Sequence, residues 1–477
     1  MLNATVFLTI ATITGLIAGF AREWLLIDAW GAGARTDAFM VALFLPEALR
    51  ITMATGLMSA AALPLFTNMA IKHRSRWLQN QFIHFIALGC GLSVLLVIFS
   101  SACIYIIGPG LLDHQHAVAV ESLEILAWVI PGLLTHALLS VPHQSEQNFI
   151  RVGLGSLLFN LPIVLYLYTA GEASTETGIS YGFIVGSILM VIILMPNVPS
   201  MQLKYSRGGH PFVKTFKKDV TGLHKLLFPL LLSSSASQGL ALFERMIASF
   251  MGEGAITLVN LARKIINIPL VALMSLNQVL LAKMSGGHDK LRAAVLQQGL
   301  DITTVITLPA AVGFICASSA LVDLLLPGNL SNTQLPLLLA WMATTIVFAS
   351  WNGLLARYHY AAGDTKTPLK YELAGSAVNA LALVFLTKIF GLNGIVIAAL
   401  LGILLTGTLL LKASPSGLME MMKDYIVVGI VLAVSFVFIY PMSRFEMTSV
   451  MQIMTACLIS AVCLLVCAFY LKPWRQY

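Results

Sequence analysis

Apolar residues run in blocks separated by short polar breaks. The blocks fall near residues 4–20, 36–67, 80–108, 119–142, 150–170, 178–196, 223–250, 255–282, 297–318, 334–360, 370–389, 392–412, 425–442 and 449–471. About 20 apolar residues in helical form span a ~30 Å hydrocarbon layer. The pattern therefore predicts an all-α polytopic membrane protein of about 14 transmembrane helices, the second and tenth blocks being unusually long. No run alternates with period two over many short segments, which excludes a transmembrane β-barrel. The block at 4–20 has neither a basic leading segment nor a small-residue cleavage site, so it reads as a retained helix rather than a signal peptide.

Composition agrees. Hydrophobic residues make up 58% of the 477 and charged residues only 10%, against roughly 25% charged in a soluble domain. The six cysteines lie inside apolar blocks without metal-ligand spacing, so neither a disulfide nor a metal site is expected. The net charge of +7 follows from topology. With a cytoplasmic N-terminus, the cytoplasmic loops and tail carry 20 of the 28 Lys and Arg, as positive-inside insertion requires, and both termini face the cytoplasm. No nucleic-acid partner is needed to explain it.

The largest hydrophilic segment, Lys204 to Lys225, splits the chain near its middle. This gives an N-lobe at 1–212 (helices 1–6), a C-lobe at 213–415 (helices 7–12) and a C-terminal hairpin at 416–477 (helices 13–14). A faint internal echo supports two lobes: Glu23, Gly31 and Gly33 recur as Glu244, Gly252 and Gly254, at a constant offset of 221. Paired bundles around a midplane site are a common plan among secondary transporters.

Charges inside the apolar blocks carry the chemistry. Each costs roughly 2.5–3.5 kcal/mol on insertion scales, so it should face a watery cavity or an opposite charge. Arg22 and Arg50 are the leading candidates, because a guanidinium binds two phosphate oxygens at once and stays charged. The competing reading for each is a local ion pair with Glu23, Asp28 or Glu47; Glu47 and Arg50, three apart, share one helix face. Glu244-Arg245 and Arg263-Lys264 are the second-lobe counterparts, with a bridge from Glu244 to Arg263 or Lys264 as the structural alternative. Glu244, Glu121, Glu124 and Asp301 are the available carboxylates for coupling to a cation, Na+ or H+, with Glu244 and Asp301 taken as the candidates, and no other cofactor is expected. The turn Gly31-Ala-Gly33 lacks the Gly-Lys-Ser/Thr ending of a phosphate loop; Thr36 or Asp37 is expected to cap the helix after it, ahead of a ligand role for Asp37. His84, His136 and His359 read as hydrogen-bonded bundle residues before proton relays, and no catalytic triad or carboxylate pair is present.

The stretches Gly19-Phe-Ala-Arg22-Glu, Gly31-Ala-Gly-x-x-Thr-Asp37-Ala-Phe, Leu45-Pro-x-x-Leu-Arg50 and Ala61-x-Leu-Pro64 resemble the signature of the MurJ (MviN) family of lipid II flippases. The likeness continues at Ala262-Arg-Lys264 to Pro269 and at Tyr360 to Lys370, so it spans nearly the whole chain. It implies the multidrug/oligosaccharidyl-lipid/polysaccharide flippase fold and movement of a polyprenyl-diphosphate-linked saccharide to the outer leaflet of a bacterial inner membrane. It also implies a monomer that works beside glycan-synthesis proteins. Arg22 and Arg50 match cavity arginines of the first lobe, Lys264 falls at a second-lobe arginine position, and Asp37 matches the acid of the turn. The hairpin from about 425 to 471 matches the helices that offer a groove to the lipid tail.

Three departures set this chain apart. Gly15-Leu16 stands where the family has Ser-Arg, Ala54-Thr55-Gly56 where it has Ala-Glu-Gly, and Asn267 where it has an acid. They point to a divergent member, with an exopolysaccharide repeat unit as an alternative cargo to lipid II. Two other classes fit less well. A drug antiporter calls for an acidic cavity, and a glycan polymerase for catalytic carboxylates beside a large outer loop.

Overall fold

The computed structural model describes residues 2–54, 57–146, 148–195, 212–267, 289–328, 330–414, 421–440 and 448–471, together with Leu280 and Met284. Among these the secondary structure is helical throughout, and ten helices are long and apolar enough to cross a membrane. Wherever the apolar blocks fall on described residues, they coincide with a helix or a pair of consecutive helices; residues 268–279, 281 and 282 of the 255–282 block lie outside them. Where the second block is long, the structure shows two: α1 (Leu2–Trp30) is followed by α2 (Ala34–Ala54) and α3 (Leu57–Asn68). The third block divides similarly into α4 (Ile71–Ile98) and α5 (Ser100–Ile107), and the fourth into α6 (Asp113–Leu126) and α7 (Ile130–Ser145). Then come α8 (Phe149–Ala170), α9 (Glu176–Leu194), α10 (Phe212–Ser249) and α11 (255–267). Thr55, Gly56 and Pro269, together with residues 204–211 of the Lys204–Lys225 segment, lie outside the described residues.

The chain divides into two compact units, residues 1–254 and 255–477. The division comes one helix after the basic segment, because α10 packs on α3, α4 and α5 within the first unit. In that unit α1 lies along α8, α2 along α6, and α7 between α4 and α9. Helices in lipid gain no hydrophobic driving force from each other, so close approach depends on small residues at the crossing. A Cβ on Gly15 of α1 would lie 2.6 Å from that of Ser156, and one on Gly186 of α9 would lie 2.3 Å from the Phe159 carbonyl oxygen. Gly15, one of the departures from the family pattern, thus has a packing role: it lets α1 close onto α8. Leu16, at the neighbouring departure, is 49% exposed.

The second unit contains α12 (Asp289–Leu325), α13 (Leu335–Ala361), α14 (Lys366–Phe390), α15 (Leu392–Ala413), α16 (Met421–Val434, continued by a π-helical turn, Ser435–Ile439) and α17 (Ser449–Leu471). The last helix lies along α12. Ser460 Oγ donates to the Pro309 carbonyl at 2.7 Å and Gln452 Nε2 to the Cys316 carbonyl at 3.1 Å. Its other side, including Leu458, Leu465 and Phe469, is exposed as a lipid-facing helix should be.

Candidate functional site

The first half of α2 is buried on every side from Thr36 to Phe44, which makes it the central helix of its unit. Full burial ends where the charges begin. Arg50 donates to Glu47 through Nε (2.9 Å to Oε2) and Nη2 (2.7 Å to Oε1), and both side chains are 21% exposed. The same guanidinium lies 5.3 Å from the centroid of the Phe159 ring.

Arg22 is deeper. The close packing of α1 on α8 brings its Nη1 within 2.8 Å of Asn160 Oδ1, while Nη2 bonds Glu23 Oε1 at 3.1 Å. Asn160 is itself held by a 2.8 Å bond from Nδ2 to the Ser156 carbonyl, which aims its oxygen at Arg22. Arg22 lies 5.1 Å from the Phe183 ring, and Phe183 packs on Phe159 with centroids 5.3 Å apart. One aromatic pair thus underlies both arginines and adds cation–π attraction. From α10, Arg245 hydrogen-bonds the Met40 carbonyl and lies 4.7 Å from the Phe44 ring. Glu47 is in electrostatic range of Arg50, Arg22 and Arg245 together. The site is therefore three arginines arranged about one glutamate.

The local ion pairs weighed from the sequence are present: Arg22 with Glu23, and Arg50 with Glu47. Asp37 is buried in the first turn of α2, where a carboxylate is favoured by the helix dipole, and its amide bonds the Gly33 carbonyl at 2.9 Å. Thr36 differs from the capping expectation: its hydroxyl donates to the Gly31 carbonyl at 2.6 Å and closes the turn instead of accepting from an amide. Gly31 has φ 71°, whereas in the echoed turn both Gly252 (100°) and Gly254 (83°) are left-handed. The two turns touch, since a Cβ on Gly254 would lie 2.7 Å from the Ala32 carbonyl oxygen. Glu244 is buried in α10 of the first unit. Arg263 and Lys264 are half-buried in α11, and Asp301 is buried in α12, both helices of the second unit.

Sequence reasoning missed Asn160, Phe159 and Phe183. A lone Asn and two Phe in apolar helices carry no local signal, and Asn160 meets Arg22 across 138 residues of chain. Arg35 resolves as structural: it pairs with Glu176, donates to the Ser174 carbonyl at 2.8 Å and stacks 4.1 Å from Trp30.

The family model described as lipid II flippase MurJ matches residues 27–474. The chain belongs to the MurJ family. A probable lipid II flippase MurJ of Thermotoga maritima is 24% identical over 411 residues, covering 83% of this chain and 82% of that one. The lipid II flippase MurJ of Burkholderia cenocepacia is 24% identical over 416 residues, covering 84% and 81%. Among solved structures, a lipid II flippase MurJ in an inward closed conformation aligns with TM-score 0.82 at 21% identity, over 98% of this chain and all of that one. An inward-facing multidrug resistance MATE-family transporter aligns with TM-score 0.68 at 15% identity, over 88% and 99%. The MurJ-family chain is thus a multi-pass membrane transporter of the flippase type and not an enzyme.

Proposed function

We propose that this MurJ-family chain carries a polyprenyl-diphosphate-linked saccharide of the lipid II type from the inner to the outer leaflet by alternating access. The bacterial cytoplasmic membrane is its site of action, with both termini in the cytoplasm. The observation that carries the reading is the convergence of Arg22, Arg50 and Arg245 about Glu47. Three guanidiniums in a poorly hydrated setting need anionic company, because an unpaired buried charge is strongly destabilising. Glu23 and Glu47 supply it when no cargo is bound. A diphosphate carries more negative charge than one carboxylate and offers the oxygen pairs that guanidiniums match. It displaces Glu47 from Arg50 on binding, and return of Glu47 promotes release. Asn160 and the Phe159–Phe183 pair keep Arg22 in place through this exchange.

The remaining assignments rest on sequence position. Lys264 and Arg263 extend the anion-binding set, Arg245 belongs to it directly, and Asp37 shapes the turn. Glu244 and Asp301 are the carboxylates for coupling to Na+ or H+. The chain works as a monomer built from repeats at 1–212 and 213–415 plus the 416–477 hairpin. A second cargo, an exopolysaccharide repeat unit, is favoured by one set of observations: Leu16, Thr55 and Asn267 replace charged groups of the family pattern, so the contacts beyond the diphosphate differ.

The test is complementation in a bacterium depleted of its own lipid II flippase, with membrane insertion checked by immunoblot. Rescue by the wild-type chain, lost with Arg22→Ala or Arg50→Ala, supports lipid II as cargo. No rescue by an inserted wild-type chain moves the assignment to another polyprenyl-linked glycan. Full rescue by both inserted variants overturns the anion site.

A further inference from the structure

A pair of histidines outside the arginine cluster joins α4 to α10. His84 Nε2 and His224 Nε2 lie 3.4 Å apart, with ring centroids at 4.9 Å. His224 Nδ1 is 3.0 Å from the Val220 carbonyl oxygen, which can only accept. That bond places the His224 proton on Nδ1 and leaves Nε2 as a lone pair aimed at His84. The arrangement is the one metal-ligating histidines use, where the outer nitrogen bonds a carbonyl and fixes the tautomer. The spacing agrees as well: two nitrogens ~2.1 Å from one tetrahedral ion lie ~3.4 Å from each other. Phe85 stacks on His224 at 6.2 Å and Phe216 meets His84 edge-on at 6.3 Å, so both rings are held in place. Next to the pair, Asn80 Nδ2 and Gln81 Nε2 bond Asp219 Oδ2 and the Asp219 carbonyl, each at 2.8 Å, and clamp the same two helices. Both histidines are half-buried, within reach of a small ion.

We propose that His84 and His224 form a two-histidine site for a borderline transition-metal ion (zinc, nickel or copper(II)) that staples α4 to α10. In the metal-free chain His84 donates its Nε2 proton to His224; metal binding releases that proton to water or shifts it to Nδ1, and both Nε2 atoms then ligate. No third His, Cys, Asp or Glu stands in ligand range among the described residues, so water completes the coordination. The ligand set is neutral imidazole, which selects these ions over calcium and magnesium.

The experiment uses the purified full-length chain in detergent and zinc ion alone as probe. Affinity is read by competition with a fluorescent chelator, and melting temperature with and without zinc. Variants are His84→Gln, His224→Gln and His224→Ala, each checked first for monodispersity and for its zinc-free melting temperature. The glutamine at 224 keeps a hydrogen-bond acceptor for His84, so the helix contact survives without the second imidazole. The expected result is one zinc per chain in the wild type with a raised melting temperature. Each glutamine variant should bind about tenfold or more weakly and lose the rise. Unchanged zinc affinity in both glutamine variants overturns the site. A wild-type melting temperature that responds to pH but not to zinc overturns it too, leaving only a hydrogen-bonded pair.

Discussion

Replacing Glu47 and Arg50 singly and together separates a structural ion pair from a cargo-binding one. The two interact through a pair of hydrogen bonds at 2.9 and 2.7 Å with side chains 21% exposed. Exposed pairs are worth ~0.2–1 kcal/mol, whereas breaking a buried pair by removing one member costs ~3–5 kcal/mol. One-fifth exposure inside an apolar helix lies nearer the second limit, so a single change should destabilise by about 2–3 kcal/mol. The two singles are not equivalent. Arg50→Gln leaves Glu47 in range of Arg22 and Arg245, while Glu47→Gln removes the one carboxylate those three arginines share. Glu47→Gln should therefore be the more damaging. The double variant removes both charges, and a coupling energy of about 1–2 kcal/mol should appear in the cycle. Stability is read by equilibrium unfolding in mixed detergent micelles, and transport by rescue in whichever host the wild-type chain supports. If Arg50 binds cargo, the double variant regains stability without transport. Wild-type transport by the double variant would refute a cargo role for Arg50, and zero coupling would refute the pair.

Three further outcomes are expected. Asn160→Ala removes the acceptor for Arg22 and should cost about 1–2 kcal/mol in the same unfolding assay; a neutral interhelical bond in lipid averages ~0.6 kcal/mol and a charged partner roughly doubles it. Asn160→Asp, which keeps the oxygen, should retain transport. Gly254→Ala forces a Cβ onto a residue at φ 83° and against the Ala32 carbonyl, so it should destabilise by about 1–2 kcal/mol or more, while Gly33→Ala, which meets nothing within 4 Å, should be tolerated. Asp364, in the loop between α13 and α14, titrates below its ordinary 3.8, chiefly because Thr367 and then the Lys366 amide bond its carboxylate. A lowered carboxylate stabilises above its ordinary value and loses that contribution as pH falls through the lowered one. Unfolding scans between pH 5 and ~2 should thus show a drop in the wild type that Asp364→Asn lacks.

The helices were legible because lipid imposes a length and a polarity on every span, and a one-dimensional pattern records both. Arg22 and Arg50 were legible for the converse reason, as charges where the pattern demands none. What escaped is the partner set. Asn160 became a partner of Arg22 only because Gly15 lets α1 close on α8, a relation between residues far apart in the chain. The assignment of α10 to the first unit escaped similarly: the basic segment before it marks a repeat boundary, while packing on α3, α4 and α5 decides where the helix rests.

Comparing Arg35 with Arg50 shows why ion pairing alone does not make an arginine structural. Arg35 bonds Glu176 and Ser174 across about 140 residues of chain, so it ties the turn between α1 and α2 to the start of α9, and its side chain is 40% exposed. The desolvation cost is small there and the topological return is large. Arg50 bonds a residue three positions away on its own helix. An intrahelical pair brings no two elements together, and on an exposed helix it is worth only ~0.2–0.5 kcal/mol. Two charges at this depth in an apolar bundle cost several times that to insert. Packing on the Phe159 ring of α8 offsets part of that cost. On the function proposed above, a cargo that brings its own negative charge explains the rest, because it needs a cation held ready with its charge balanced by Glu47 until the cargo comes.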